Sequence, residues 1–375
     1  MIGFTSVETI YKEANIMKKS VFLAFVLVLV SAVSCFATGV GVGVRAMGMG
    51  GTGIATANDI TAAYFNPAGL MYGPKNFELQ TYAGGTTGQI QALEEAAADP
   101  EYLSTAFDED LNINANMSVG LGVSVRKVGI SLFARGNGSF IHPANSVTQG
   151  RISAQAWVEA PLTLGSTFST PGLPFADMSV GVNLKSIQIL GGGVALTGGG
   201  NGVRVDETGS GFGFDIGMQT KITPLISLGA VIRNLSASVD TKTKSQAVTI
   251  APDGTITDAG AETEVKSSDT LAPETGIGVG ISLPLIGTLI AVDAENYSVP
   301  GDKSYTDTHI GLEQGLFFNA LMLRAGYYTD GPTEDTFYTY GFGLNLGPAN
   351  IGVAAANSVN DSINSVSEAQ LGVAF

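Results

Sequence analysis

The sequence predicts an all-β fold: a transmembrane antiparallel β-barrel of about fourteen strands, with an N-terminal hatch inside the lumen. Three observations predict it. The 375-residue chain is 14% charged and 45% hydrophobic, with 50 glycines, whereas soluble domains carry about a quarter charged residues. Beyond residue 37 every apolar run is soon broken by Gly, Ser, Asn or Thr, which excludes membrane helices of about 20 apolar residues. Polar and apolar residues instead alternate with a period of two, and short and long connections alternate between the segments.

Taken in order, residues 1–16 carry no pattern and read as an extension of the gene model ahead of Met17. Met17-Lys18-Lys19, the apolar run 21–30 and the small residues ending at Ala37 form the three parts of a secretory signal peptide over 17–37. A competing reading takes Ala32-Val33-Ser34-Cys35 as a lipoprotein box with Cys35 acylated. Cleavage after Ala37 removes the one cysteine, so disulfides are not expected. Residues 38–75 neither alternate nor form an amphipathic stripe of any length, which suits a plug.

The barrel is expected over 76–375. Asn112-Ile113-Asn114-Ala115-Asn116-Met117-Ser118-Val119-Gly120-Leu121-Gly122-Val123-Ser124-Val125 alternates throughout. In 151–160 the charges Arg151 and Glu159 share one face with Trp157, and Asp293 and Glu295 alternate with Ile290, Val292 and Ala294. Strands are expected near 76–86, 112–125, 128–141, 151–168, 176–190, 209–220, 225–239, 271–283, 288–297, 305–315, 319–329, 336–346, 349–357 and 366–375. Tight connections such as Thr223-Pro224 and Gly347-Pro348 alternate with longer ones at 87–111, 191–208, 240–270 and 298–304. Outer-membrane barrels sort their turns and loops in this way, which expects the outer membrane of a diderm bacterium as the location. Lipid offers the backbone no hydrogen-bond partner, so a spanning sheet must close on itself. Residues 89–110 read as one or two short helices in the first long loop, and 240–269 as a mobile or hairpin loop around Pro252-Asp253-Gly254.

Tyr297, Tyr327, Tyr328, Tyr338 and Tyr340 fall toward the long-loop ends, where an aromatic girdle belongs. The last strand ends on Leu371, Val373 and Phe375 on the apolar face, and a terminal aromatic of this kind resembles the signal read by barrel-assembly machinery. Outer-membrane lipid is then the surrounding partner.

Charge narrows function. With 18 Lys+Arg against 33 Asp+Glu, the net charge is −15, which argues against binding to phosphate backbones. Gly48, Gly50 and Gly53 satisfy G-x-G-x-x-G but lack the strand and helix that a dinucleotide site needs. His142 and His309 are the only histidines and match no zinc spacing, so His309, alternating with Asp307 and Glu313, reads as a lumen residue. No metal, cofactor or catalytic residue is expected. Arg135, Lys185, Arg233 and Arg324 share the inward face with Asp293, Glu295, Asp307 and Glu313. Such charges pair with one another, or one or two of the cations meet a carboxylate headgroup while Phe65, Leu70 and Phe133 hold the tail.

The run from Arg45 to Asp59, followed by Ala62-Ala63-Tyr64-Phe65-Asn66-Pro67-Ala68-Gly69-Leu70, resembles the N-terminal hatch of the FadL/TodX family of outer-membrane transporters for hydrophobic compounds and of PorV-like relatives. Beyond the hatch the resemblance is architectural, with weaker local echoes at Leu323-Arg324-Ala325-Gly326-Tyr327 and Tyr340-Gly341-Phe342-Gly343-Leu344. It implies a monomeric fourteen-stranded barrel that moves hydrophobic or amphipathic small molecules such as long-chain fatty acids passively, past a hatch containing Phe65, Asn66, Pro67, Ala68, Gly69 and Leu70. The PorV-like relatives imply an alternative, a scaffold that holds exported proteins at a secretion apparatus. A barrel hydrolase acting on lipid has no recognisable motif here.

Overall fold

A computed structural model of the chain describes residues 42–74, 76–86, 111–125, 127–143, 149–169, 177–198, 200–250, 255–298, 303–360 and 365–375. The expectations for 1–41, Cys35 among them, and for the insert 89–110 lie outside the described residues.

The strands are β1 (Glu78–Thr86), β2 (Leu111–Val125), β3 (Val128–His142), β4 (Gln149–Ser169), β5 (Asp177–Gly198), β6 (Asn201–Lys221), β7 (Ile226–Ile250), β8 (Ile256–Asp258), β9 (Thr263–Thr270), β10 (Glu274–Leu283), β11 (Thr288–Ser298), β12 (Ser304–Leu316), β13 (Leu321–Asp330), β14 (Asp335–Leu346), β15 (Ala349–Ser358) and β16 (Ser365–Ala374). β1 to β7 and β10 to β16 form a closed antiparallel barrel of fourteen strands. β16 closes onto β1 from Ala374 opposite Glu78 to Val366 opposite Thr86. β7 closes onto β10 from Ile226 opposite Ile281 to Arg233 opposite Glu274. Phe77 and Phe375 exchange both backbone hydrogen bonds at 3.0 Å, and their rings stack at 5.3 Å. That pairing extends the β1–β16 ladder to the last residue.

Alternation sorts the two faces as expected. In β10, Ile277 is 65% exposed between two glycines that face the lumen, and Leu121, Ile130, Leu184, Ile310, Leu323 and Leu371 likewise point outward. These residues form the lipid-facing band. Tyr327, Tyr338 and Tyr340 stand near its loop-side edge, with the rings of Tyr327 and Tyr338 5.6 Å apart and Tyr338 and Tyr340 exposed. Tyr297 and Tyr328 correct the expected girdle. Tyr297 donates to the buried Asp307 at 2.9 Å, and Tyr328 stacks on His309 and Phe337. Neighbouring strand residues point to opposite faces, so Tyr327 and Tyr328 could not both reach lipid.

The connections also need correcting. The long loop expected over 191–208 is instead the top of a tall hairpin, in which β5 and β6 pair up to Gly198 opposite Asn201. Gly191, Gly192 and Gly193, the consecutive apolar residues Val194-Ala195-Leu196 and the glycines 198–200 hide the alternation there, but a ladder above the lipid band needs only backbone pairing. β7 likewise runs on through 240–250, paired first with β9 and then with β8. The reading of 240–269 as a hairpin holds for its paired arms, and the expected turn centre Pro252-Asp253-Gly254 lies outside the described residues.

β7 also carries a bulge. Phe214 pairs with Ser236 but Ile216 pairs with Ile232, which leaves extra β7 residues opposite Asp215. Asn234 takes up the irregularity with φ 54, and its N–H donates to Asp215 at 2.8 Å.

The hydrophobic core of the molecule lies inside the barrel. Residues 42–74 fill the lumen, and Phe65, Met47, Met49, Ile54, Ile60 and Leu70 are among the largest fully buried side chains. Burying each such side chain contributes about 1.5–3 kcal/mol, so lumen packing alone holds the plug strongly.

Candidate functional site

The plug is built from short elements separated by tight turns. α1 (Val44–Gly48) ends where Gly51 N–H reaches Ala46 O at 2.7 Å, with Gly50 and Gly51 at φ 67 and 82. Left-handed residues end helices, and glycine takes that conformation without strain. Before α2 (Ala62–Phe65), Asp59 accepts from the Thr61 N–H at 2.9 Å and from its hydroxyl. A single 3₁₀ stretch, Pro67–Tyr72, follows, with Pro67 at its start and the Ala68 N–H donating to Asn66 Oδ1 at 3.1 Å.

Asn66 fastens this stretch to the wall. It is fully buried, and its Nδ2 donates to Ile54 O at 2.8 Å within the plug and to Met218 O at 2.9 Å in β6. The wall makes room with glycine: a Cβ on Gly217 would lie 2.0 Å from Asn66 Oδ1, and one on Gly326 would lie 2.1 Å from Gly50 N. The three glycines of the nucleotide-like motif serve packing instead. A Cβ on Gly53 would strike the Phe65 ring at 2.4 Å. Further plug backbone is held by Asp293, which accepts from the N–H groups of Gly53 and Ile54 at 2.6 and 2.8 Å. Gln219 donates to Ala55 O at 2.7 Å, Asn183 donates to Ala63 O at 2.7 Å, and His309 Nδ1 lies 2.7 Å from Gly50 O.

All six hatch residues singled out from the sequence, Phe65, Asn66, Pro67, Ala68, Gly69 and Leu70, are buried inside the barrel. Phe65 and Leu70 join one packed cluster with Tyr64, Tyr82 and Phe133. With Phe65 fully buried and Leu70 and Phe133 each at 2% exposure, a ligand tail reaches them only if the plug moves.

The lumen charges divide into two groups. At mid-barrel Arg135 donates to the Tyr64 hydroxyl at 2.9 Å, and the guanidinium carbons of Arg135 and Arg233 lie 4.9 and 5.3 Å from the Tyr64 ring centre. Arg135 pairs with Glu159 at 3.5 Å, and Lys185 bridges Glu159 at 3.0 Å and Asp215 at 3.1 Å. Arg233 pairs with Glu274 at 3.1 Å and also with Glu295. Arg324 stands apart, toward the turn side. There Glu313 lies between Arg324 at 2.8 Å and Arg45 of the plug at 2.9 Å. Opposite charges therefore pair, but of the four acids expected opposite the cations only Glu295 and Glu313 meet one. Asp293 binds plug backbone, Asp307 accepts from Tyr297 and the Gly331 N–H, and Arg135 and Lys185 pair instead with Glu159, Lys185 also with Asp215. Sequence reasoning missed Tyr64, Arg45 and Asp215 as partners in these networks. The inward phase of Asp215 was readable in β6, but Tyr64 and Arg45 belong to the plug, which has no strand period, and their wall partners lie 71 and 268 positions away.

Two further features flank the plug. One inward step toward the loop side from the mid-barrel charges, Ile187, Ile189, Ala237 and Val239 form a buried apolar cluster, with Trp157 and Leu271 packed against it. On the turn side, Arg45, Asp59, Glu78, Gln80, Glu313 and Arg324 help line a polar cavity of about 320 Å³. Among the described residues no group of His, Cys, Asp and Glu is arranged to hold a metal ion.

No protein-family model matches the sequence, and no curated protein matches it. Solved structures do match. The P. putida toluene transporter TodX superposes with a TM-score of 0.61 at 14% identity, over 90% of this chain and 99% of that one. The Ralstonia pickettii toluene transporter TbuX gives 0.61 at 12%, over 90% and 98%. A Pseudomonas aeruginosa FadL homologue gives 0.57 at 11%, over 92% and 100%. The fold is that of the TodX and FadL barrels. At these identities the likeness establishes architecture, and it agrees with the resemblance first read in the hatch. A closed barrel with an apolar outer band of this type is an outer-membrane, multi-pass protein.

Proposed function

We propose that this protein carries hydrophobic or amphipathic small molecules passively across the outer membrane, without catalysing a reaction. The observation that supports this reading best is the order of layers along the lumen. An apolar cluster containing Trp157 lies on the loop side, the charged layer around Tyr64 comes next, and the packed plug follows. A small number of polar groups beside an apolar surface suits ligands with an oily body and a polar end. TodX and TbuX are toluene transporters and CymD is a monoaromatic hydrocarbon channel, and their shared architecture favours a related task here. Long-chain fatty acids fall within the same broad class; the lumen charges argue for a narrower one. Export through a signal peptide over 17–37, recognition of Phe375 by barrel-assembly machinery and a surrounding shell of outer-membrane lipid complete the proposal.

Uptake into proteoliposomes tests it. Vesicles containing the full chain should accumulate labelled toluene or a medium-chain alcohol faster than protein-free vesicles. Tyr64→Ala, which removes the ring under both guanidinium groups, should change that rate several-fold if the mid-barrel layer lies on the path. Co-purification of a folded exported protein, together with uptake equal to that of empty vesicles, would favour the PorV-like scaffold instead.

A further inference from the structure

Each mid-barrel cation already holds at least one protein carboxylate. Lys185 has two carboxylate partners, Arg233 has two, and Arg135 shares Glu159 with Lys185 while donating to the Tyr64 hydroxyl. Among the described residues, nine carboxylate side chains are buried, against five lumen cations, Arg45, Arg135, Lys185, Arg233 and Arg324. The lumen therefore carries an excess of negative charge. The buried polar atoms without a hydrogen-bond partner around Arg233 lean the same way. Glu295 Oε1, Asp293 Oδ1 and Asn234 Oδ1 are acceptors, and Arg233 Nη1 is a donor beside them. A third carboxylate brought to Arg233 would face the two it already binds, and like charges brought together at a desolvated site repel strongly. A hydroxyl can accept from Arg233 Nη1 and donate to an oxygen nearby, and an ammonium group donates to the same oxygens.

We propose that the mid-barrel layer selects by headgroup charge: it admits hydrophobic molecules whose polar end is neutral or cationic, and it rejects carboxylates. This selectivity rests on the transport reading above. It runs against the simplest use of inward-facing arginines, which is to bind an acid. The reason is that every such arginine or lysine at mid-barrel already holds a protein carboxylate. The apolar body of the ligand would lie against the half-buried Trp157, one step toward the loops, with the buried Ile187, Ile189 and Val239 packed behind it.

Trp157 is the only tryptophan in the chain and sits in that cluster, so it reports directly on arrival of a ligand. The full chain in zwitterionic vesicles at neutral pH is titrated with octanol, octylamine and octanoate, three probes that share one tail. Protein-free vesicles correct for partitioning, and uptake is measured in parallel. Octanol and octylamine should shift Trp157 emission at concentrations at least about tenfold below octanoate. In Glu295→Gln, which leaves Arg233 with Glu274 alone, octanoate should gain affinity and octylamine should lose it. If that variant does not assemble, the three-probe series on the unaltered chain decides the matter by itself. Octanoate binding as tightly as octylamine, alongside normal uptake, overturns charge selection and leaves transport standing. No shift of Trp157 and no uptake with any probe overturns both.

Discussion

Asn66 joins the plug to the barrel wall: its side chain caps the 3₁₀ stretch that begins at Pro67, and its amide reaches across to β6. The bond from Asn66 to Met218 O spans 152 positions, and no local rule contains it. Asn66→Ala leaves the buried Ile54 carbonyl without this donor, at roughly 1–3 kcal/mol for an unsatisfied group, and removes the tie to Met218 O. The plug should loosen in the variant while the barrel persists. Planar-bilayer recordings should then show higher conductance than the parent protein, with an unchanged far-ultraviolet β signature. Gly217→Ala tests the same contact from the wall side, since the added methyl would sit 2.0 Å from Asn66 Oδ1. It should raise conductance by a comparable amount, whereas Gly347→Ala, at a turn with nothing within 4 Å, should not. Gly347 has φ 66, so that variant serves as a control for backbone strain alone. The inward cations were legible from alternation, but their partners were not, because Arg135, Lys185 and Arg233 find theirs across strands or around the ring.

At the scale of elements, alternation located every barrel strand but misjudged where some of them stop. Period two is visible only while one face meets lipid. Above the band both faces of β5, β6 and β7 meet water or the lumen, so 191–208 lost its pattern and kept its ladder. The β7–β9 pairing is laced by exposed ion pairs, Lys242 with Glu264 at 2.8 Å and Lys244 with Glu262 at 2.6 Å. Hydrogen bonding to Lys242 holds the Glu264 carboxyl below its usual range, and hydrogen bonding to Glu262 raises Lys244. A lowered carboxylate pKa supports the hairpin above the ordinary carboxylate range, and that support fades as pH falls through the lowered value. Amide exchange in β9, normalised for intrinsic rates, should therefore be faster in acid than at neutral pH. Because the pairs are exposed and screened, Glu262→Gln should leave the unfolding temperature of the barrel unchanged within error.

For the whole molecule, closure in lipid is the property from which the rest follows. A lysine placed in the outer band, as in Val292→Lys, should cost about 2–4 kcal/mol near mid-bilayer, measurable as a shifted urea midpoint for folding into vesicles. Withdrawing detergent from the purified protein should aggregate it, because the outward Leu, Ile and Val side chains then face water. The sequence by itself determined the barrel, its strand count, the sorting of apolar and polar faces and the presence of a segment that fits none of the strands. These are set by local periodicity, which a residue expresses through its immediate neighbours and the medium on each side. Only the tertiary structure decided which wall each plug turn touches, which carboxylate each cation holds and how tall the loop-side wall stands. Those choices depend on which residues closure brings to the same height and face around the ring, and that is a property of strand register that no single stretch of chain contains.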